Sequence, residues 1–331
     1  MLVLDDYEGL MAAAPGIDRI RRVADVAVLD RPLAQVRDSL LSGAEVVVAL
    51  RERTRLDADL LQRLPRLELV LQTGAGANHV DQAAMADRAV AVALGRGATV
   101  GLAAVPELTV ALMIAASRHF VAAERSRQAG EWPTLVGRTL RGRRLGVLGM
   151  GQLGSRVASI GQALGMEVVA WGRDETPGAV TADDVPRLPL DELLATCDVV
   201  SIHLRLSPES RGLLDAQRLQ SMRPGSVLVN TARGAIVDED ALVRSLVDGP
   251  LAAAGLDVFG QEPLPADHPL RGLDNVVLTP HVGWTVHEAF AEFAEIAADQ
   301  LEEYVAGRLD PSVLLDRSVH GSGRCGGFRG S

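Results

Sequence analysis

A glycine-rich turn within LGVLGMGQLGSRV, at residues 145–157, has the spacing of turns that bind phosphate groups. Gly149, Gly151 and Gly154 form a G-x-G-x-x-G pattern between an apolar run and a segment with one apolar helical face. The first glycine allows a tight turn, the second lets the backbone approach a pyrophosphate, and the third lets helix and strand pack closely. The start of the helix adds free N–H groups. The pattern predicts dinucleotide binding, with a purely structural turn as the weaker alternative.

The end of the next predicted strand bears on which dinucleotide is bound. An acid that binds the ribose is expected about 20 residues after the turn, but the strand ends in VVAWGRDET, with Gly172 at that place. Gly172 removes a charge that would repel a 2′-phosphate, and the Arg173 guanidinium could bind one. Asp174 could instead bind the ribose or neutralise Arg173. The sequence therefore favours acceptance of NADP and leaves the preference between NAD and NADP open.

Three further stretches carry polar residues where predicted strands end. Arg233 lies in NTARGAIVDEDAL, Asp257 and Glu262 lie in LDVFGQEPLPADHPL, and His281 lies in LTPHVGW. A guanidinium can bind a carboxylate with two parallel hydrogen bonds, and a histidine can act as a general acid or base. Taken singly, each residue has a simpler explanation: a surface ion pair for Arg233, a solvated turn for Glu262 and a core side chain for His281. All three together favour an active site.

Strand-like and helix-like segments alternate through the first hundred residues, as in a parallel sheet with helical crossovers. The predicted strands are LVLD, ADVAVLD, EVVVAL and LELVLQTG, at residues 2–5, 24–30, 45–50 and 67–74. The predicted helices between them are RPLAQVRDSLL, LDADLLQRL and VDQAAMADR, at residues 31–41, 56–64 and 80–88. These residues are expected to form an open, doubly wound α/β domain.

A second α/β series follows a polar connector. A helix is predicted to begin near Pro106, because proline suits the first helical position. Six strand-like runs come after it: RLGVLG, EVVAW, CDVVSIHL, SVLVNT, AAAGLDV and NVVLTP. Six strands in this alternation fit a dinucleotide-binding sheet. A long helical pattern at 285–306 is predicted to return to the first domain, and the Gly/Ser-rich residues 318–331 are predicted to be disordered.

Composition excludes several functional classes. The formal net charge is −10 and the basic residues are all arginine, so no nucleic-acid partner is expected and a lysine Schiff base or P-loop lysine is excluded. The two cysteines, Cys197 and Cys325, have no metal-site or disulfide spacing. No signal peptide or membrane span is evident. A cytoplasmic protein without a metal is expected.

The motifs together resemble the D-isomer-specific 2-hydroxyacid dehydrogenase family. The resemblance covers residues 1–317 and rests on the glycine-rich turn, NTARG-IVDE-AL, LDVF--EPLP--HPL and TPH-GW, in that order. It implies that Arg233 binds the substrate carboxylate and C2 oxygen, that His281 is the general acid and base, and that Glu262 orients His281 and raises its pKa. It also implies that Asp257 contacts the nicotinamide amide.

The resemblance implies further contacts and an architecture. Residues 1–98 and 285–317 would form a flavodoxin-like substrate-binding domain, and residues 99–284 a Rossmann domain. The implied substrate contacts are Arg51, Ala75, Gly76 and Trp284, although Trp284 could equally be a packing residue. The implied cofactor contacts beyond the three glycines and Arg173 are Gln152, Leu153 and Thr231. A homodimer is implied, with the connector 119–142 reaching the partner.

The predicted function is that of an NAD(P)-dependent D-2-hydroxyacid dehydrogenase that works chiefly as a 2-ketoacid reductase. The alternative is a dinucleotide-sensing corepressor-like scaffold of the same fold. Formate oxidation is disfavoured because Glu262 stands where that branch has a glutamine. Phosphite oxidation is disfavoured because it uses a lysine that this chain lacks. The identity of the 2-hydroxy acid and the physiological direction stay open.

Overall fold

The computed structural model describes residues 1–172 and 184–316. The predicted disorder of 318–331 therefore lies outside the described residues. The chain divides into two compact units, one made of Met1–Val100 and Thr285–Ser331 and the other of Gly101–Trp284. The predicted boundary, between residues 98 and 99, lies two residues before the boundary at 100/101.

The first unit is built on a five-stranded parallel sheet. Its strands are β1 (Leu2–Val3), β2 (Ala27–Val28), β3 (Val46–Ala49), β4 (Leu69–Gln72) and β5 (Ala91–Leu94). They lie in the order β2-β1-β3-β4-β5, which is the flavodoxin-like order. The sequence analysis missed β5. Its AVAL sequence contains two alanines, which are weak strand formers, and all four residues are buried against the helices.

Four short helices lie between these strands: α1 (Pro15–Val23), α2 (Asp38–Leu41), α3 (Ala58–Arg63) and α4 (Gln82–Asp87). The side chain of Asp57 caps α3 and that of Asp81 caps α4, each accepting a backbone N–H three residues on. The single helix predicted for 31–41 is wrong. A 3₁₀ turn at Leu33–Gln35 ends at Val36, whose extended backbone separates it from α2.

The second unit begins with two helices, α5 (Gly101–Ser117) and α6 (Phe120–Gln128). The predicted helix start near Pro106 is wrong, since Pro106 is the sixth residue of α5. Proline cannot donate a hydrogen bond to the carbonyl four residues back, so it costs the helix one bond near its first turn. The two helices are bent by 66° at a break, and the pair could span a membrane by length and composition only. No single described helix is long and apolar enough to do so.

A six-stranded parallel sheet forms the core of the second unit. The strands of this sheet and the helices between them are, in chain order, β6 (Arg144–Leu148), α7 (Gln152–Ala163), β7 (Glu167–Trp171), α8 (Leu190–Thr196), β8 (Val199–Ile202), α9 (Ala216–Ser221), β9 (Ser226–Asn230), α10 (Glu239–Val247), β10 (Leu251–Leu256) and β11 (Val276–Leu278). The strand order is β11-β10-β9-β8-β6-β7, so the winding reverses between β6 and β8. A single parallel bridge between Ala170 and Arg187 extends the sheet beyond β7. Six strands were predicted, and the sheet is of the Rossmann type.

The chain returns to the first unit through α11 (His287–Val305). This helix packs on α1, where a Cβ at Gly16 would lie 2.4 Å from the carbonyl carbon of Ala294, so only glycine permits the approach. Arg19 of α1 forms ion pairs with three acidic residues of α11, namely Glu295, Asp299 and Glu302. The side chain of Gln300 donates to the carbonyl of Leu94, at the end of β5.

Candidate active site

The glycine-rich turn has the geometry of a phosphate cradle. Gly149 has φ of +98°, which favours glycine, and Gly154 packs so tightly that a Cβ there would lie 1.9 Å from the carbonyl oxygen of Gly149. A Cβ at Gly151 would meet no heavy atom within 4 Å. Gly151 is also the N-cap of α7 and provides no side-chain cap for the first N–H groups. Gln152 and Leu153 supply these N–H groups, which fit a bound phosphate.

The end of β7 is the region where a ribose acid was sought. Trp171 ends β7, and a Cβ at Gly172 would meet no described heavy atom within 4 Å. Arg173 lies outside the described residues. The residues that the structure describes thus leave space at Gly172, and the role of Arg173 stays a prediction.

Thr231 follows β9 directly and is tied to α5. Its hydroxyl lies 2.8 Å from the hydroxyl of Thr109, which donates its own hydrogen to the carbonyl of Val105 at 2.8 Å. Because Thr109 has one hydroxyl hydrogen, Thr231 must be the donor in the pair between them. The lone pairs of Thr231 can therefore accept a hydrogen bond from another group. Thr109 was not singled out from the sequence, since a threonine inside an apolar helix carries no motif.

His281 and Glu262 form a close pair. His281 Nδ1 lies 2.7 Å from Glu262 Oε2, and the Phe259 N–H donates to Glu262 Oε1 at 2.9 Å. His281 has φ of +55°, an uncommon backbone conformation for a non-glycine residue. Burial raises the pKa of the Glu262 carboxyl, but the hydrogen bond and charge of His281 and the Phe259 N–H outweigh it, so the pKa lies below its usual value. Glu262 is therefore a carboxylate near neutral pH.

Asp257 holds the segment that carries His281. The Asp257 side chain is buried, and its Oδ1 accepts from the Thr279 hydroxyl at 2.6 Å and from the Val282 N–H at 2.9 Å. Its Oδ2 accepts from the Gly283 N–H at 2.9 Å. Burial raises the pKa of Asp257 although these hydrogen bonds favour the charged form. The carboxylate thus binds the backbone that follows His281 and the side chain of Thr279, which precedes it. The implied nicotinamide contact stays a prediction.

Arg233 is fixed relative to Glu262 through its neighbour Gly234. A Cβ at Gly234 would lie 2.0 Å from the carbonyl carbon of Phe259, so glycine is required for these two segments to touch. Arg233 itself is half-buried and donates from Nη1 to the carbonyl of Ala232 at 2.7 Å. The positive charge of Arg233 also contributes to lowering the pKa of the Glu262 carboxyl. The sequence motif contained Gly234 but did not reveal this contact.

In the first unit, three of the implied substrate contacts cluster after β3 and β4. Arg51 has φ of +55°, and its N–H donates to the Thr73 hydroxyl at 3.0 Å. Its guanidinium lies over Gly74, where a Cβ would be 2.4 Å from Nη1. Gln72 Nε2 joins the two segments by donating to the carbonyls of Arg51 and Gly76, at 3.1 and 3.2 Å. Arg51 is therefore beside the loop that contains Gly76 and Ala75.

Trp284, the last residue of the second unit, is only 6% exposed. This burial agrees with the packing role that the sequence analysis kept open for it. Among residues 1–172 and 184–316, no group of three or more histidine, cysteine or acidic residues could hold a metal ion.

Comparison with known proteins identifies the family. The family model for the NAD-binding domain of D-isomer-specific 2-hydroxyacid dehydrogenases matches residues 110–283, more than half of the chain. A glyoxylate reductase from Aeropyrum pernix is 38% identical over 314 residues, which cover 92% of this chain and 93% of that protein. The chain belongs to the D-isomer-specific 2-hydroxyacid dehydrogenase family. It is an oxidoreductase of the class that acts on the CH–OH group of 2-hydroxy acids, and its second unit contains the NAD-binding domain.

Other relatives support the same family with different chain lengths. The D-3-phosphoglycerate dehydrogenase of Mycobacterium bovis is 37% identical over 282 residues, which cover 84% of this dehydrogenase but only 53% of that longer protein. A crystal structure of a phosphoglycerate oxidoreductase from Vibrio cholerae aligns with a TM-score of 0.82 and 32% identity. It covers 92% of this chain and 98% of that chain. The predicted family and fold class are confirmed.

Proposed function

We propose that this dehydrogenase reduces small 2-ketoacids to D-2-hydroxy acids, with His281 as the proton donor. The observation that carries the proposal is the His281–Glu262 pair at 2.7 Å, held beside Arg233 by the contact at Gly234. A histidine hydrogen-bonded through one ring nitrogen to a carboxylate keeps its other nitrogen for proton transfer. The arrangement is therefore that of an oriented acid and base.

The proton path follows from which atoms are already engaged. Glu262 Oε1 accepts from the Phe259 N–H and Oε2 faces His281 Nδ1, so the carboxylate fixes the imidazole ring rather than the substrate. His281 Nε2 then donates a proton to the C2 carbonyl oxygen during reduction and takes it back in the reverse reaction. When bound, the nicotinamide dinucleotide supplies or accepts the hydride at C2.

Arg233 and the first unit would bind the substrate. The planar guanidinium of Arg233 can hold the carboxylate and the C2 oxygen together, which orients the carbonyl and stabilises negative charge on its oxygen. We propose that the N–H groups of Ala75 and Gly76 bind the carboxylate as well, and that Arg51 contacts the distal group of the substrate. We also propose that Thr231 and Asp257 contact the bound cofactor and that Trp284 contacts the substrate.

A substrate panel tests the proposed function. Purified protein is mixed with NADH or NADPH and with glyoxylate, hydroxypyruvate, pyruvate or a bulkier branched or aryl 2-ketoacid, and loss of absorbance of the reduced cofactor is followed. We expect turnover with at least one ketoacid, and glyoxylate is the first to try because the Aeropyrum pernix relative is named for it. If no ketoacid supports oxidation of either cofactor while both still bind, the corepressor-like scaffold becomes the better explanation.

We propose that the protein accepts NADPH as well as NADH. The open space at Gly172 would accommodate a 2′-phosphate, and Arg173 is the next residue. The test compares kcat/KM for the two cofactors in the parent and in Arg173→Ala. We expect the variant to lose efficiency with NADPH selectively. A strong preference of the parent for NADH, or an unchanged ratio in the variant, contradicts the proposal.

We also propose a homodimer formed through the connector 119–142. Its side chains Phe120, Trp132 and Val136 are 56%, 95% and 82% exposed, an apolar set that a partner would cover. Val136→Arg is expected to give a monomeric mass by light scattering, whereas Val247→Arg, at another exposed apolar position, is expected to keep the dimer. A monomeric parent at micromolar concentration contradicts this proposal. The cytoplasmic location and the absence of a nucleic-acid partner stay predictions.

A further inference from the structure

The segment that joins β10 to Glu262 is held by a hydrogen bond to a side chain of helix α10. Gly260, between Phe259 and Glu262, donates its N–H to Glu239 Oε2 at 3.0 Å. Glu239 is the first residue of α10 and lies 21 residues earlier in the chain. The preceding amide, of Phe259, donates to Glu262 Oε1. Two successive amides of this segment therefore bind two different carboxylates, those of Glu262 and Glu239. The position of the Glu262 side chain thus depends on where Glu239 holds the segment.

Glu239 is in turn fixed by His268. His268 Nε2 lies 3.2 Å from Glu239 Oε1, and the Leu270 N–H donates to His268 Nδ1. Since Nδ1 accepts that hydrogen bond, the hydrogen of the neutral ring lies on Nε2 and faces Glu239. Glu239 therefore has one oxygen on His268 and the other on Gly260. This makes a second histidine–carboxylate pair, next to the pair formed by His281 and Glu262.

The ordinary helix-start role for Glu239 is already filled by its neighbour. Asp238 is the N-cap of α10 and its side chain accepts from the Ala241 N–H. Glu239 is not needed for that bond, and its carboxylate points to the Gly260 segment. Asp240, also in the first turn of α10, is exposed and offers a carboxylate with the same relation to the helix dipole. The two acidic residues therefore differ in their contact with the Glu262 segment.

We propose that Glu239 is a positioning residue for the reaction: it braces the Gly260 amide so that Glu262 stays in contact with His281. The inference rests on the proposed function, since it concerns the same acid–base pair. It does not involve the glycine-rich turn, so cofactor binding is expected to be independent of Glu239. Misplacing a catalytic group by about 1 Å can cost about a hundredfold in rate, so loss of the brace is expected to lower kcat measurably.

The first experiment compares Glu239→Ala with Asp240→Ala. We expect Glu239→Ala to lower kcat by about tenfold or more with little change in cofactor affinity measured by fluorescence, and Asp240→Ala to match the parent within about twofold. Glu239→Gln keeps one oxygen that can accept from Gly260, so it is expected to recover most of the lost kcat. Equal losses in the alanine variants would mean a helix-end effect and would overturn the proposal.

A double-mutant cycle and a measurement without substrate complete the test. In a Glu262→Gln background, Glu239→Ala is expected to cost less than about threefold, because residues that act through one another are not additive. Equal costs in both backgrounds would overturn the proposal. Amide hydrogen exchange at Phe259 in the full chain is expected to be about tenfold faster in Glu239→Ala than in Asp240→Ala, because the brace that holds its hydrogen bond is gone.

The exchange measurement separates the two ways of failing. A parent that reduces no ketoacid refutes the proposed function, while faster exchange at Phe259 still shows that Glu239 positions Glu262. Unchanged exchange together with unchanged kcat refutes the positioning role and leaves the proposed function intact.

Discussion

The carboxyl edge of the second unit's sheet has two halves that hold functional groups differently. At the ends of β6 and β7 the described residues offer backbone N–H groups and space, at the Gly149–Gly154 turn and at Gly172. After β8, His203 faces the hydroxyl of Ser201. At the ends of β9, β10 and β11 the structure offers charged side chains fixed by hydrogen bonds. The difference fits the proposed tasks, since a pyrophosphate needs N–H groups without steric bulk, whereas proton transfer needs titratable groups in fixed positions.

The two halves also treat histidine in opposite ways. His203 Nε2 lies 2.8 Å from Ser201 Oγ, and burial lowers the pKa of His203 to about 4, so this ring is neutral at physiological pH. His281 instead lies with its Nδ1 2.7 Å from the carboxylate of Glu262. A neutral histidine is suited to packing beside the cofactor turn, and a carboxylate-paired one is suited to exchanging a proton. Each prediction below alters one half and leaves the other unchanged.

The largest effect is expected from removing the proposed proton donor. His281→Ala is expected to lower kcat by about 10³-fold, within the range that a general acid contributes, because no other described side chain bonded to Glu262 can replace Nε2. Cofactor binding, measured by fluorescence, is expected to stay near that of the parent. His287→Ala is the matched control, since His287 is exposed and outside the second unit. Unchanged turnover in His281→Ala would refute the assigned mechanism.

The next largest effect is expected from Arg233, the proposed substrate clamp. Arg233→Lys keeps the positive charge but loses the planar pair of donors, so kcat/KM is expected to fall by about 10²-fold. The Gly234 contact with Phe259 involves backbone only and is expected to survive, which keeps Glu262 and His281 in place. Arg244→Lys, at an exposed arginine of α10, serves as the control. Near-parental ketoacid reduction by Arg233→Lys would exclude the clamp.

Sequence patterns predicted the parts of the molecule whose function depends on local spacing. The G-x-G-x-x-G turn and the six strands of the second sheet could be predicted because each is encoded in a short, continuous stretch. The misplaced start of α5 had a local cause too, because Pro106 is tolerated inside the helix as well as at its start. The strand β5 was missed because two alanines weaken its pattern.

The contacts that align the proposed catalytic side chains could not be predicted from spacing. Glu239 meets Gly260 across 21 residues, and Gly234 meets Phe259 across a similar distance in the chain. Nothing local in either stretch encodes such a pairing, because it depends on how parallel strands bring their ends together. The same holds for Asp257, whose carboxylate turns toward Val282 and Gly283 rather than outward.

Two glycines of the cofactor turn allow the need for open space at the proposed phosphate site to be tested separately from the need for close packing of α7. A Cβ at Gly154 would lie 1.9 Å from the Gly149 oxygen, so Gly154→Ala is expected to destabilise the second unit by about 2 kcal/mol or more. A Cβ at Gly151 meets nothing within 4 Å, so Gly151→Ala is expected to fold normally and to bind cofactor about tenfold more weakly, because the methyl group occupies the phosphate approach. Urea unfolding and cofactor titration separate the two effects. Equal destabilisation by both substitutions would contradict this division of roles.

The last expected effect concerns His203 and depends on pH. The pKa of His203 is lowered from 6.5 to about 4 by burial, so the folded chain binds this proton less readily than the unfolded chain. Its contribution to stability is therefore complete above about pH 6.5 and is lost as the pH falls toward 4. Between pH 6.5 and pH 5 the expected loss is about 1.4 kcal/mol per pH unit, or about 2 kcal/mol.

His203→Gln removes this titration while keeping an amide that can bond to Ser201, so the acid-dependent part of the stability is expected to disappear. The three tryptophans, Trp132, Trp171 and Trp284, all lie in the second unit, so their fluorescence in urea reports the unfolding of the unit that contains His203. The quantity to compare is the change in free energy of unfolding between pH 7 and pH 5, in the parent, in His203→Gln and in the exposed control His287→Gln. We expect the change to be smaller in His203→Gln alone. An identical pH dependence in all three proteins would show that His203 is not held neutral, and the contrast between the two histidines would then not exist.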